Sequence, residues 1–282
     1  MFPTPIEKTS RSWQLTYQSL IPVALIMWLL PLIAVAIFSV KPATDFTQGN
    51  YWGLPGSFEA FSNYGQVFFN SDMPRYMLNS VLITVPTVIG AVALSCLAGF
   101  ALGIYKFRSN IWIFFLFVAG NFVPFQILMV PVRDLTLDMG LYNTKTGLVL
   151  FHVAFQTGFC TLFMRNFIRA LPYELIEAAR VEGIAEWRIF WYVVLPLMKP
   201  AIAALAVLIF TFIWNDYFWA VVLTQGAESQ PVTAGITSFN AQFRAAYHLM
   251  SAGSIVAALP PVAMFFLMQK HFIAGLTLGA VK

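Results

Sequence analysis

Long intervals of this chain carry no charged side chain, and that limits what it can fold into. The gaps run from Arg11 to Lys41, Arg75 to Lys106, Arg108 to Arg133, Lys145 to Arg165 and Arg244 to Lys270. A sixth, from Lys199 to Glu228, is interrupted only by Asp216. Each can hold the ~20 apolar residues with which a helix crosses a ~30 Å hydrocarbon core. Of the 282 residues, 59% are hydrophobic and 10% charged, whereas a soluble domain runs near 45–50% and about 25%. A soluble fold of this length could not hide so much apolar surface, so a soluble enzyme, a disordered chain and a secreted disulfide scaffold are excluded. The chain reads as an all-α integral membrane protein. Six transmembrane helices are predicted near 19–40, 78–104, 111–131, 147–164, 201–223 and 252–269.

Six spans put both termini on one side, and the Lys/Arg distribution chooses which. The N-tail, the second and fourth loops and the C-tail hold 11 of the 16 Lys and Arg. Both termini are therefore expected in the cytoplasm. The expected organisation is a cytoplasmic tail at 1–18, a first span at 19–40, a periplasmic loop at 41–77, a membrane core at 78–270 and a cytoplasmic tail at 271–282. Ala34-Val35-Ala36 resembles a signal-peptidase site, but the apolar run continues past it to Val40, which is long for a signal peptide. Ala91, Ser95, Gly99 and Gly103 form a small-xxx-small stripe that lets another helix approach closely. Pro86, Pro124, Pro131, Pro260 and Pro261 are expected to kink their helices. Cys96 and Cys160 sit in apolar runs without metal-ligand spacing.

The cytoplasmic stretch 165–200 holds nine of the chain's 28 charges, yet has helical grammar. Pro172 stands where a helix begins and Gly183 where it ends. A second short helix is expected from about Ala185, with Trp187, Phe190, Trp191 and Val194 as its apolar stripe and Leu195-Pro196 as its stop. Such a stripe must be covered by the protein's own helix ends or by a partner.

Glu177-Ala178-Ala179, three residues on Gly183, and then Val193-Val194-Leu195-Pro196 resemble the EAA loop of ABC importer permeases. That pattern is EAA, three residues, Gly, nine residues, Ile-x-Leu-Pro. Val193 stands for Ile, and Glu182 stands where sugar-importer permeases usually have Asp. The runs Phe122-Val123-Pro124 to Val130-Pro131, Gly140 to Thr144, Trp214-Asn215-Asp216 and Gly275 to Lys282 are similar to the maltose-permease-like carbohydrate branch. The resemblance implies the type I ABC importer permease fold, in a bacterial inner membrane. It also implies that Glu177, Ala178, Ala179, Glu182, Gly183, Leu195 and Pro196 belong to coupling helices seated in a partner ATPase. A second homologous permease subunit and a periplasmic or lipid-anchored solute-binding protein are implied as further partners, with a sugar-like solute as cargo. The chain has no GxxxxGK[ST] phosphate loop, so ATP is expected on the partner, and no cofactor or nucleic acid is expected here.

Asp216 is the one acid well inside a predicted span, about 22 Å along the helix from Ala201. An intramembrane acid is a candidate functional site. With Trp214, Asn215 and Tyr217, and with Asn121 and Gln126 on the third span, it forms the candidate substrate pathway. Aromatic faces beside amides and a carboxylate suit a sugar, but the same polar groups can also tie helices together. His152, His248 and His271 have no catalytic spacing. The alternatives to a sugar are a polyol, a glycerol-phosphate ester or an anionic sugar. From another class, the rival is an ion-coupled secondary transporter using Asp216 as a relay.

Overall fold

Proline and Asn-Asp decide where the apolar runs stop being helical. The computed structural model describes residues 10–239 and 246–278, with side chains through Gln269. The tails expected at 1–18 and 271–282 lie partly outside the described residues, and Lys8, Arg244 and Lys282 wholly so. Among the described residues every regular element is a helix. Four helices are long and apolar enough to cross a bilayer: α1 (Arg11–Val40), α4 (Met73–Ile104), α7 (Lys145–Arg169) and α14 (Tyr247–Leu278). The number rises to six if each of two bent pairs is one span.

The spans expected at 111–131 and 201–223 each contain a break. The first lies between α5 (Asn110–Ala119), which runs on in a 3-10 turn to Phe122, and the segment from Phe125 through α6 (Met129–Asp138). Its two halves meet at 89°. Pro124 is the cause: a residue before proline is pushed out of the helical region, and Val123 is extended, with ψ 121°. Pro86, Pro260 and Pro261 lie inside continuous helices and Pro131 inside α6, so Pro124 alone of the five interrupts its helix. The second segment is α11 (Lys199–Trp214), which ends at Asn215-Asp216 and resumes as α12 (Phe218–Leu223). Asn and Asp side chains offer the backbone local alternatives to the helix ladder.

The chain divides into two compact units. The first is Met1–Ser71 with Phe239–Val256. Here α1 presents apolar side chains all round, as suits lipid. The connector after it is an ordered knot containing α2 (Ala43–Thr47) and α3 (Ala60–Phe69). Lys41 is fully buried, and its Nζ donates to the Asn50 and Tyr51 carbonyls at 2.7 and 3.0 Å. Asn63 Nδ2 donates to the Ser39 and Lys41 carbonyls at 3.0 and 2.9 Å, and Phe46 stacks on His248, meets Tyr51 edge to face and lies tilted against Tyr247.

The second unit is Asp72–Ser238 with Ala257–Lys282. Its axis is the pairing of α4 with α7 along the small-residue stripe. A Cβ at Gly99 would lie 2.9 Å from Met164 Cβ and 3.0 Å from the Arg165 amide nitrogen. The two backbones touch because no side chain intervenes. At one end of this pair, Thr144 Oγ1 caps α7 by accepting from the Gly147 N–H at 2.9 Å. Asn79 Nδ2 donates to the Ala227 and Gln230 carbonyls, and Lys145 Nζ to the Glu228 carbonyl, which fixes the loop after α12.

Candidate functional site: the coupling loop and the broken helices

The loop predicted from its motif is two short helices. The first, α8 (Tyr173–Val181), buries Ile176 and Ala179. Gly183 follows it with φ +75°. The Gly183 N–H donates to the Arg180 carbonyl at 2.9 Å and the Ile184 N–H to the Ala179 carbonyl at 3.1 Å. That pair of bonds is the Schellman closure, and its left-handed residue is normally glycine. The EAA-to-Gly spacing thus has a local meaning: the motif's alanine accepts the bond that ends the helix.

The second half differs from expectation. It starts as α9 (Glu186–Ile189), passes through a π turn at Phe190–Val194, and continues as α10 (Leu195–Leu197). Leu195-Pro196 does not stop it, because the wider turn re-registers the carbonyls ahead of the proline, which lacks an N–H. The break comes at Met198, where the chain turns 73° into α11. The buried stripe is Ile189, Phe190 and Val194, packed on α4 side chains including Phe100, 5.1 Å away ring to ring. Trp187 and Trp191, expected in that stripe, are exposed. So the protein's own core covers one side of the loop and leaves the other open. On the open side lie Glu177, Ala178, Glu182, Gly183, Pro196 and both tryptophans; Ala179 is buried and Leu195 half-buried.

A polar cluster holds the corner. Arg180 Nε donates to Glu186 Oε1 at 2.7 Å and its Nη2 to Glu186 Oε2 at 3.2 Å, a two-point pairing. Tyr105, at the end of α4, donates to Glu186 Oε2 at 2.8 Å, and Arg180 Nη1 donates to the Tyr173 hydroxyl at 3.1 Å. The hydrogen bonds from Arg180 hold the Glu186 carboxyl below the usual carboxylate range. Burial, reinforced by Glu186, pushes the Tyr105 phenol up to about 12. Tyr105 and Glu186 were not candidates from the sequence. The readable signal was the Arg180/Glu186 pair straddling the Gly183 corner, with the acid in the first turn of its helix.

The candidate pathway residues separate by environment. The two breaks come together: Phe125, just after Pro124, meets Phe218, at the start of α12, edge to face at 5.1 Å. Asp216 lies between α11 and α12. Its carboxylate accepts from the Trp219 and Ala220 N–H groups at 3.4 and 3.0 Å and lies 3.5 Å from His152 Nε2. Thr233 Oγ1 donates to its carbonyl. Its oxygens are thus engaged in starting α12 and in reaching α7. His152, which sequence spacing left unassigned, is the unforeseen partner. Trp214 is 2% exposed, and its Nε1 donates to the Ala257 carbonyl at 2.9 Å, so it belongs to the packing of α11 against α14. Asn215, Tyr217, Asn121 and Gln126 are exposed. Asn121 lines a cavity of about 320 Å³ with Phe155 and Gly158 of α7.

Long apolar helices, two broken apolar segments and a two-helix loop with the EAA pattern are the features of a membrane transport component. The model of the family described as binding-protein-dependent transport system inner membrane component matches residues 91–277. The chain belongs to that family, the permease subunits of ABC importers. It is 33% identical over 262 residues, 91% of this chain and 88% of the relative, to the osmoprotective compounds uptake permease protein GgtD of Synechocystis sp.. It is 31% identical to the arabinooligosaccharides transport system permease protein AraQ of Halalkalibacterium halodurans, covering 89% of this chain and 90% of that one. Its fold matches a chain of the crystal structure of a bacterial ABC transporter that imports the acidic polysaccharide alginate. The TM-score is 0.79 at 23% identity, covering 95% of this chain and 100% of the other. The fold is that of a type I importer permease, and an ion-coupled carrier is set aside.

Proposed function

We propose that this permease forms one half of the pathway through which an oligosaccharide or related sugar enters the cell, with both termini in the cytoplasm. A homologous permease subunit supplies the other half, a periplasmic or lipid-anchored binding protein delivers the solute, and a separate ATPase pair seats on the 165–200 loop. The one observation that carries the ATPase contact is the sidedness of that loop. Its inner stripe is buried in the permease, while Glu177, Glu182, Gly183, Trp187 and Trp191 remain open at a corner closed by glycine. A buried inner face makes the loop rigid with the membrane helices, so a push on its outer face moves them. ATP is consumed on the partner, and this chain performs no chemistry. The exposed Asn215, Tyr217, Asn121 and Gln126 offer amides and an aromatic ring near the paired breaks and are the proposed solute contacts, while Asp216 holds the break in shape.

A second reading of the cargo, a small osmoprotective polyol or sugar derivative, is favoured by the relative at 33% identity that takes up osmoprotective compounds. Proteoliposomes holding the whole complex, with ATP on the ATPase side and the binding protein on the other, decide between them. Uptake of labelled pentose or hexose oligosaccharides, abolished without ATP, is expected. Uptake of small polyols alone selects the second reading, and uptake driven by an ion gradient without ATP overturns both.

A further inference from the structure

A cavity of about 610 Å³ lies where the end of α4, the start of α5 and the end of α7 meet. Lys106, Arg108, Arg165 and Arg169 line it, and no Asp or Glu among the described residues does. Like charges gathered in one wall repel, and an anion between them removes that repulsion. Arg165 is the informative member. It is only 7% exposed, its Nε donates to the Leu102 carbonyl at 3.1 Å, and its guanidinium lies 3.8 Å from the Phe114 ring centre. The three ion pairs among the described residues are Arg75–Glu228, His152–Asp216 and Arg180–Glu186, and Arg165 is in none of them. A nine-tenths-buried guanidinium facing a basic cavity without a carboxylate is costly unless an anion completes it.

The start of α5 points the same way. Asn110 and Ile111 stand in the cavity wall, and the cap residue Ser109 makes no side-chain bond to the first turn. The Asn110 N–H is taken by the Phe107 carbonyl at 3.0 Å, but the next N–H groups of the first turn have no intrahelical acceptor. The positive end of a helix suits a phosphate. The rest of α5 indicates what the phosphate is attached to. The helix buries none of its residues, and Ile111, Trp112, Phe115 and Leu116 are exposed along it. Acyl chains would use that face; a free phosphate would not. Basic pockets between membrane helices on the cytoplasmic side are sites for anionic head groups.

We propose that this cavity binds the head group of an anionic phospholipid of the inner leaflet. The proposal rests on the cytoplasmic placement of the coupling loop given above. Leu171, Tyr173 and Ile176 of that loop share the cavity wall, so the bound lipid braces the joint where α7 enters the coupling helices.

The assembled transporter is extracted from bilayers of phosphatidylcholine mixed with phosphatidylglycerol, and retained lipid is counted by native mass spectrometry. Arg108→Gln and Arg169→Gln, both at exposed positions, are each expected to lower retained phosphatidylglycerol about five-fold, the worth of one basic side chain at an anionic surface. Phosphatidylcholine should not change. Arg165→Gln could fail to fold, so the exposed variants carry the test. Undiminished phosphatidylglycerol in the double variant overturns the proposal. So does displacement of the lipid by millimolar inorganic phosphate, which identifies a free-anion site. Retention seen only after the ATPase is stripped away also overturns it, because the cavity is then a subunit contact. Orientation is read separately, by labelling Lys106→Cys with an impermeant maleimide. Labelling from the outer face sinks the topology whatever the lipid count shows.

Discussion

Gly183 sits at φ +75°, and a Cβ built on it meets nothing within 4 Å. Within this chain the obstacle to a larger residue is therefore conformational. A β-branched residue in the left-handed region costs on the order of 1–2 kcal/mol, whereas Asn tolerates it. Gly183→Val is expected to insert at normal levels but lose transport, with the ATPase released or uncoupled, because the Schellman bonds that set the loop angle give way. Gly183→Asn should keep the angle and most of the uptake. Measuring uptake, membrane level and ATPase co-purification on one preparation checks both. Normal uptake by Gly183→Val would remove the loop's coupling role. Asp216 illustrates the opposite kind of residue. Its position drew attention as a candidate contact, but its oxygens meet two backbone N–H groups and His152. What could not be read from the sequence is that α7 brings His152 to it from 64 positions away.

At the scale of the element, α8 and α9 are each too short to be stable alone. They are held by burying Ile176, Ala179, Ile189, Phe190 and Val194 in the permease core and by the Arg180–Glu186–Tyr105 cluster. The Arg180 and Glu186 side chains are 29% and 42% exposed, so solvent screening holds their pairing to at most about 1 kcal/mol. Its pH window follows from the shifts. Glu186 has a lowered pKa in the fold, so its contribution is present above the ordinary carboxylate value and is lost as pH falls through the lowered one. Tyr105 is raised to about 12, so its contribution is complete below the ordinary phenol value and is lost as pH rises towards 12. Hydrogen-exchange protection of the Gly183 and Ile184 amides, corrected for intrinsic rates, is expected to stay level from about pH 5 to 10. It should fall in stronger acid and again in alkali as pH rises towards 12, and Glu186→Gln should lower it throughout. A neutral-pH titration of that protection would rule out the cluster as the clamp. The π turn and the outward Trp187 and Trp191 belong to this scale too. Helical periodicity assumes one pitch, and a wider turn rotates every later residue off the predicted face.

At the scale of the molecule, the charge asymmetry predicts that reporter fusions after Lys270 read cytoplasmic and fusions near Gly56 or Ala227 periplasmic. A periplasmic C-terminus would overturn the span count and the ATPase contact together. The sequence alone determined the membrane class, the number and approximate place of the apolar segments, and the two-helix loop that turns at Gly183. These follow from hydrophobic run length and from a glycine at a helix end, both local properties of the chain. The small-residue stripe was legible for the same reason, since Ala91, Ser95, Gly99 and Gly103 announce a close neighbour without saying which; the structure shows it to be α7. Only the tertiary structure decided that the breaks at Pro124 and Asn215-Asp216 meet through Phe125 and Phe218, and that Trp214 is packed while Asn215 is open. It also decided that four cations, two from the connection between α4 and α5 and two from α7, share one cavity. Those outcomes depend on which surfaces the helices bring together across 50 or more residues, and such energies have no signature in the order of the residues themselves.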